Sequence, residues 1–253
     1  MITIRDYVRA ESLEQAWQLN QKRANRVLGG MVWLKMENLP VGTAIDLSAL
    51  GLDQIEETPE QFSIGAMVTL RELEQHPGLA AYTQGAFKEA LRHIVGVQLR
   101  NLATVGGSVY SRFGFSDVLT MLLAMDCEVE LYKGGILPLS QYAQMPYDRD
   151  ILVRLILHKT PARYCYQSVR PTRTDLPVLT CAAARTETGW RFAIGARPQR
   201  AVLFQFEGAQ DPQTMAAAIQ EQIQTGSNMR GSAEYRRHLA GVLVRRAAEQ
   251  LGE

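Results

Sequence analysis

Leu99-Arg100-Asn101-Leu102-Ala103-Thr104-Val105-Gly106-Gly107-Ser108 carries a glycine pair between a β-like segment and an apolar helical run. A second pair stands upstream in the same setting, in Leu28-Gly29-Gly30-Met31-Val32. Adjacent glycines let the backbone turn sharply and approach a ligand with no Cβ in the way. Two such loops, brought together by the fold, can aim N–H groups from both sides at the two phosphates of a dinucleotide. Either pair alone also suits a plain tight turn, so the surroundings decide.

Upstream, residues 7–10 read as a short strand, and Ser12-x-x-Gln15 is a capping box opening a helix to about Gln21. Arg26-Val27-Leu28 is strand-like and runs into the first pair, with a helical turn at 33–36 and a further strand at 44–47. The result is a compact βαββ unit. Residues 54–57 and 62–66 then read as strands, and Thr69-x-x-Glu72 caps a helix that Pro77-Gly78 is expected to end. A helical stretch at about 84–94 precedes the second pair. After it, Ser116-Asp117 caps a helix over 118–125, and a strand at 127–132 closes in a Gly134-Gly135 turn to which no ligand role is assigned.

Residues 151–157 form a strongly apolar strand, and Pro161 marks a boundary. Three strand-like runs at 178–185, 190–196 and 201–206 follow, with helices at 212–225 and 233–251, which make a separate α+β layer. Ser232 caps the last helix, and Arg236, Arg237, Arg245 and Arg246 read as its solvated basic face.

The 253 residues suffice for one large or two modest domains, and 46% hydrophobic with 21% charged residues is an ordinary globular composition. With 27 Lys and Arg against 26 Asp and Glu there is no global field to draw in nucleic acid or an anionic membrane. Cys127, Cys165 and Cys181 form no C-x-x-C pair, so they read as buried thiols in a reducing compartment. Charge at Arg5 and Asp6 argues against a signal peptide, and the run at 118–125 is too short to span a bilayer. The expectation is a cytoplasmic protein with no nucleic-acid or membrane partner.

No G-x-G-x-x-G, phosphate-binding P-loop, H-E-x-x-H or G-x-S-x-G is present, and His76, His93, His158 and His238 lack metal-ligand spacing. No acid, base or nucleophile constellation stands out. Any chemistry is therefore expected of a bound cofactor.

The stretch at 99–108 resembles the (I/V)-R-N-x-A-T-(I/V)-G-G-N segment of the FAD-binding subunits of molybdenum hydroxylases, the xanthine dehydrogenase and carbon monoxide dehydrogenase group. Further likeness lies in Ser116-Asp117 with Leu119, Leu122-Leu123-Ala124-Met125-Asp126, Glu128-Val129-Glu130-Leu131, Val27-Leu28-Gly29-Gly30, Asp150-Ile151-Leu152 and Ala233-Glu234-Tyr235-Arg236-Arg237. The resemblance covers nearly the whole chain. It implies an α+β protein with the two-subdomain FAD-binding fold of the molybdopterin dehydrogenase and vanillyl-alcohol oxidase type. That fold would occupy residues 1–160, with subdomains of about 1–53 and 54–160. A small C-terminal α+β domain, a three-stranded sheet with helices, would fill residues 161–253.

By the same resemblance, backbone groups of Val27, Leu28, Gly29, Gly30, Met31 and Val32, and of Thr104, Val105, Gly106, Gly107 and Ser108, hold the FAD pyrophosphate. Asp117 falls where a carboxylate accepts from ribityl or ribose hydroxyls. Ile94 lies where an apolar or aromatic residue meets adenine, and Ile151 and Leu152 where the chain meets the isoalloxazine. Tyr166 replaces a lysine usual in xanthine dehydrogenases, and either stacks near the flavin or packs. Met31-Val32-Trp33-Leu34 stands where many relatives have a threonine and an acid, so the backbone must supply what side chains supply elsewhere. Ser108 replaces an asparagine, and a Cys-rich insertion found in some relatives is missing.

The resemblance implies an electron-transferring flavoprotein subunit. The molybdenum cofactor and [2Fe–2S] clusters would sit on partner subunits, and NAD or another acceptor would take the electrons. A stand-alone flavin oxidoreductase and an FAD-free scaffold subunit are the alternatives. Retention of FAD and association with a molybdenum subunit discriminate the three.

Overall fold

β1 (Thr3–Arg9), α1 (Leu13–Asn20), β2 (Arg26–Leu28) and β3 (Pro40–Asp46) open the computed structural model, which describes residues 1–252. The three strands are parallel, in the order β1-β3-β2. Ser12 Oγ accepts the Gln15 N–H at 3.1 Å and starts α1, as its capping position predicts. Ala10, Ala16, Ile45, Leu47 and Ile151 make the core beneath this sheet. β1 extends beyond the run expected at 7–10 because it is an edge strand with almost every residue exposed, where hydrophobic alternation has nothing to report.

β4 (Ile55–Glu57) and β5 (Gln61–Gly65) lead to α2 (Leu70–Gln75), whose start is held by Thr69 Oγ1 on the Glu72 N–H at 3.2 Å and Glu72 Oε2 on the Thr69 N–H at 2.8 Å. α2 ends at Gln75, ahead of Pro77 as expected, and Pro77 also begins a further helix, α3 (Pro77–Tyr82), with His76 Nδ1 accepting the Leu79 N–H at 3.2 Å. A proline at the first helical position lacks only an N–H that has no partner there anyway. Short helices α4 (Ala86–Leu91), α5 (Val97–Arg100), α6 (Val105–Tyr110) and α7 (Asp117–Leu123) follow. β6 (Cys127–Leu131), β7 (Gly135–Pro138), α8 (Leu139–Gln144) and β8 (Leu152–His158) then complete a five-stranded sheet in the order β4-β5-β8-β6-β7.

The C-terminal sheet has four strands rather than the three expected: β9 (Ala162–Val169), β10 (Leu179–Thr186), β11 (Gly189–Gly195) and β12 (Val202–Glu207), antiparallel in the order β12-β11-β10-β9. α9 (Pro212–Gln222) and α10 (Ala233–Gly252) supply Met215, Ile219, Leu243 and Val244 to a core shared with Cys165, Cys181 and Phe192. The additional strand is β9. Its Tyr164, Cys165 and Tyr166 are all buried, so it lacks the polar-apolar alternation that marks a half-buried strand.

The elements divide into two compact units, each built from separated stretches of chain. One comprises Met1–Leu73, Val97–Ser111 and Glu128–Leu157, and the other Glu74–Gly96, Arg112–Cys127 and the chain from His158 onward. In the second unit Arg236 departs from the expected solvated face. It is fully buried, donating to Val178 O and Gly226 O at 2.8 Å and to Asn228 Oδ1 at 2.6 Å. Loop carbonyls without strand partners need donors, and one guanidinium serves several. Among the described residues no helix is long and apolar enough to cross a membrane.

Candidate functional site

In the first unit the chain leaves β2 at Leu28 and turns through Gly29 and Gly30. Gly30 has no room for a side chain, since a Cβ there would lie 1.7 Å from Leu102 O and 2.3 Å from Leu102 C. A Cβ on Gly29 would lie 2.7 Å from Thr104 Oγ1 and 3.7 Å from Gly107 Cα. The first pair is thus seated on the segment that carries the second, an approach open only to glycine. Met31 follows at φ 55°, a left-handed conformation uncommon outside glycine, asparagine and aspartate. Met31 O then accepts the Lys35 N–H at 3.1 Å and Trp33 O the Met36 N–H at 2.9 Å, closing a helical turn. Among the described residues, no acceptor takes the N–H groups of Gly29, Gly30, Met31 or Val32.

The second pair lies inside the first turn of α6 rather than in an open loop. Thr104, its N-cap, accepts the Gly107 N–H on Oγ1 and the Ser108 N–H on its carbonyl, both at 3.1 Å. Val105 N–H reaches Val68 O at 2.9 Å, and Gly106 N–H reaches Ala66 O at 2.8 Å. Even the Ser108 hydroxyl donates inward, to Thr104 O at 2.9 Å. All four N–H groups that follow Thr104 are therefore spent within the chain.

Ile151 and Leu152, also in the first unit, are 1% and 5% exposed, and Ile151 packs with Ala16 and Ile45. Asp150 organises the backbone beside them: its carboxylate accepts the Ile151 N–H at 2.8 Å and the Gly134 N–H at 2.7 Å. A carboxylate gathering several N–H groups is not visible as such in a sequence that shows it only at the head of a strand.

The second unit holds Ile94, Asp117 and Tyr166. Ile94 is half-buried just after α4, and Val95 beside it takes φ 48°, an outlier for a β-branched residue. Ser116 Oγ accepts the Leu119 N–H at 3.1 Å and so places Asp117 at the first position of α7. There Tyr166 donates its hydroxyl to Asp117 Oδ1 at 2.5 Å, and Arg170 pairs with the same oxygen. Burial pushes the Asp117 carboxyl up to about 6, against the opposing pull of Arg170 and the Tyr166 hydroxyl. Burial, then the neighbouring Asp117, likewise hold the Tyr166 phenol well above its ordinary range.

Two of the expected site residues thus meet each other. Tyr166 packs, with its ring buried and its hydroxyl committed to the carboxylate. Arg170, which also donates to Asp175 O at 2.8 Å, is the member that sequence reading missed. Its signal was the need of a buried carboxylate for a cation.

Comparison with known proteins decides what this arrangement belongs to. Residues 2–159 match the FAD binding domain in molybdopterin dehydrogenase. The chain belongs to this family. Within it, residues 208–251 match the CO dehydrogenase flavoprotein C-terminal domain. The uncharacterized protein YgfM of Escherichia coli K12 is 31% identical over 253 residues, covering 95% of this chain and 94% of that protein. Carbon monoxide dehydrogenase from Hydrogenophaga pseudoflava, lacking the Mo-pyranopterin moiety of its cofactor, shares the fold with a TM-score of 0.87 at 20% identity, over 98% of this chain and 96% of that one. Quinoline 2-oxidoreductase from Pseudomonas putida 86 matches with a TM-score of 0.84 at 20% identity, over 97% and 96% of the two chains.

As a molybdopterin dehydrogenase flavoprotein, the chain is an oxidoreductase subunit whose cofactor is FAD, and in this family molybdenum and iron–sulfur cofactors belong to partner subunits. The residues present fit that cofactor. The N–H groups of Gly29, Gly30, Met31 and Val32, which have no acceptor among the described residues, suit its diphosphate.

Proposed function

We propose that this chain is the flavin-bearing member of a heteromeric molybdenum hydroxylase of the xanthine dehydrogenase kind, acting in the cytoplasm. It would receive electrons singly from [2Fe–2S] clusters on a partner subunit and deliver them to NAD or another acceptor. The observation that carries the reading is the first glycine pair, seated against Leu102 with unspent donors from Gly29 to Val32. Bound FAD supplies the exchange between one-electron and two-electron chemistry, and the protein supplies binding and orientation.

In this reading residues 1–160 form the cofactor domain and 161–253 the flavoprotein C-terminal domain. The backbone of Val27 to Val32 and the turn from Thr104 to Ser108 lie around the pyrophosphate. Ile94 meets adenine, and Ile151 and Leu152 border the isoalloxazine. Asp117 meets sugar hydroxyls through Oδ2, since its Oδ1 is taken by Tyr166 and Arg170. Tyr166 acts by holding that carboxylate in place. No side chain is asked to act as an acid or base.

The visible absorption spectrum of the full chain, after incubation with FAD and removal of unbound cofactor, tests the reading. Flavin retained at close to one per chain is the expected result. A folded chain that retains none overturns it and leaves an FAD-free scaffold subunit. Association with a molybdenum subunit then separates the proposal from a stand-alone flavin oxidoreductase.

A further inference from the structure

We infer that β1 is the docking site for an extended segment of a partner subunit, a segment that adds as a further strand to the open edge of the three-stranded sheet and carries carboxylates at alternate positions. This rests on the heteromeric reading above and assigns, within it, where the chain is gripped and by what chemistry.

β1 has a hydrogen-bonded neighbour, β3, on one side only, so along seven residues its other edge presents N–H and C=O groups with no strand to take them. Six of those residues are exposed and Val8 is half-buried. Strands of a parallel sheet are ordinarily covered on both faces. Here α1 packs against β2 and β3, and β1 lies beyond that cover. Edges left open to water are usually kept short or interrupted by proline. The opposite edge, β2, follows that rule with three residues, whereas β1 runs for seven without a proline.

The side chains on this edge say what fits it. Alternation places Thr3, Arg5, Tyr7 and Arg9 on one face and Ile4, Asp6 and Val8 on the other. On the first face the Tyr7 hydroxyl donates to Asp46 Oδ2 at 2.5 Å, and Arg9 Nε donates to Ser48 Oγ at 3.1 Å. Asp46 also accepts the Ser48 N–H at 2.8 Å and the Ser48 hydroxyl at 3.0 Å. These bonds fix the Tyr7 ring, 59% exposed, between Arg5 and Arg9 along the strand. They also occupy Asp46, so the nearest carboxylate on that face does not cancel the arginines. Arg5 has no partner among the described residues.

A strand with carboxylates opposite Arg5 and Arg9, and apolar side chains opposite Ile4 and Val8, matches both faces of β1 at once. In such an addition the backbone hydrogen bonds supply affinity and the alternate side chains supply specificity. A second copy of the chain is the poorer occupant. A two-fold antiparallel pairing of β1 with itself sets Arg5 against Arg5, Asp6 against Asp6, or Arg5 against Arg9, depending on register. Like charges directly opposite are destabilising, so the charges that select the partner also reject self-pairing.

Amide hydrogen exchange on the FAD-loaded chain, alone and in complex with co-expressed molybdenum and iron–sulfur subunits, tests the inference. The β1 amides that face away from β3 should exchange rapidly in the isolated chain and slow by about tenfold or more in the complex. The double variant Arg5→Glu, Arg9→Glu should weaken assembly by about tenfold or more at low salt, while Arg5→Lys, Arg9→Lys stays within about threefold of the parent and both retain FAD. Amides that stay fast in an intact complex, or a glutamate variant that assembles like the parent, would overturn the inference and leave the heteromeric reading standing. Slowing in the isolated chain that grows with protein concentration assigns the edge to a second copy and overturns the partner. An FAD-loaded chain that recovers neither subunit overturns both.

Discussion

Gly29-Gly30 and Gly106-Gly107 share a dipeptide and lie in the same unit, within reach of a common Thr104, yet they end in opposite states. The second pair is absorbed into the first turn of α6, with every N–H bonded. The first hangs off the end of β2 with its N–H groups unspent and a left-handed methionine behind it. A glycine pair therefore reports only that backbone comes close to something. Whether that neighbour is another part of the chain or a ligand depends on which hydrogen bonds the surroundings have already made.

The largest effect is expected from Gly30→Ala. Its Cβ would collide with the Leu102 carbonyl, which is backbone and cannot swing aside. Stability should fall by about 3 kcal/mol, read from the urea midpoint, and flavin retention should be lost. Gly107→Ala is the contrasting variant, because its site is exposed and the only near atom is Thr104 Oγ1 at 3.1 Å. That change should stay within about 1 kcal/mol of the parent and keep the flavin, helped by the better helix propensity of alanine. A folded Gly107→Ala chain that cannot hold FAD would break the comparison.

A middle effect is expected from Thr104→Val, which deletes the acceptor for the Gly107 N–H. Losing this cap should cost about 1–2 kcal/mol in thermal or urea unfolding, and Thr104→Ser should restore most of it. The folded valine variant should still bind one FAD per chain at saturation. The smallest effect belongs to Met31→Gly, which removes the left-handed strain at φ 55° and adds unfolded-state entropy. The two oppose one another, and a net gain of about 0.5 kcal/mol is expected in the FAD-free chain. A loss of more than that would mean the methionine side chain holds the loop, and would shift weight from backbone shape to packing.

Much of the fold could be read locally. Ser12, Thr69, Ser116 and Ser232 all cap the helices that their spacing announces, because each cap is a bond between a side chain and an N–H three residues away. β1 and β9 escaped for opposite reasons: one is exposed almost throughout, and the other has Tyr164, Cys165 and Tyr166 all buried. Pro77 stops α2 as its position announces, but it also starts α3, because proline suits the first helical position as well as the residue after a helix. Arg236 sits in a helix with exposed neighbours at Arg237 and His238, and what draws it inside is a set of acceptors from outside the helix, the carbonyls of residues 178, 226 and 231 and the Asn228 side chain.

The candidate site divides along the same line. Two glycine pairs, Asp117 and Tyr166 could be picked out from residue type and resemblance. That Arg170 and Tyr166 share one oxygen of Asp117 could not, since those groups are 53 and 49 residues away from it in the chain.

By itself the sequence determined where the chain caps, turns and permits close approach, together with the family pattern at 99–108. These depend on residues within a few positions of one another. The tertiary structure decided which N–H groups are left over for a ligand, because Val68 and Ala66, which claim the N–H groups of Val105 and Gly106, arrive from a distant part of the chain, whereas none among the described residues reaches the first pair. Hydrogen-bond capacity is written residue by residue, but whether it is already spent is settled only when the neighbours are in place.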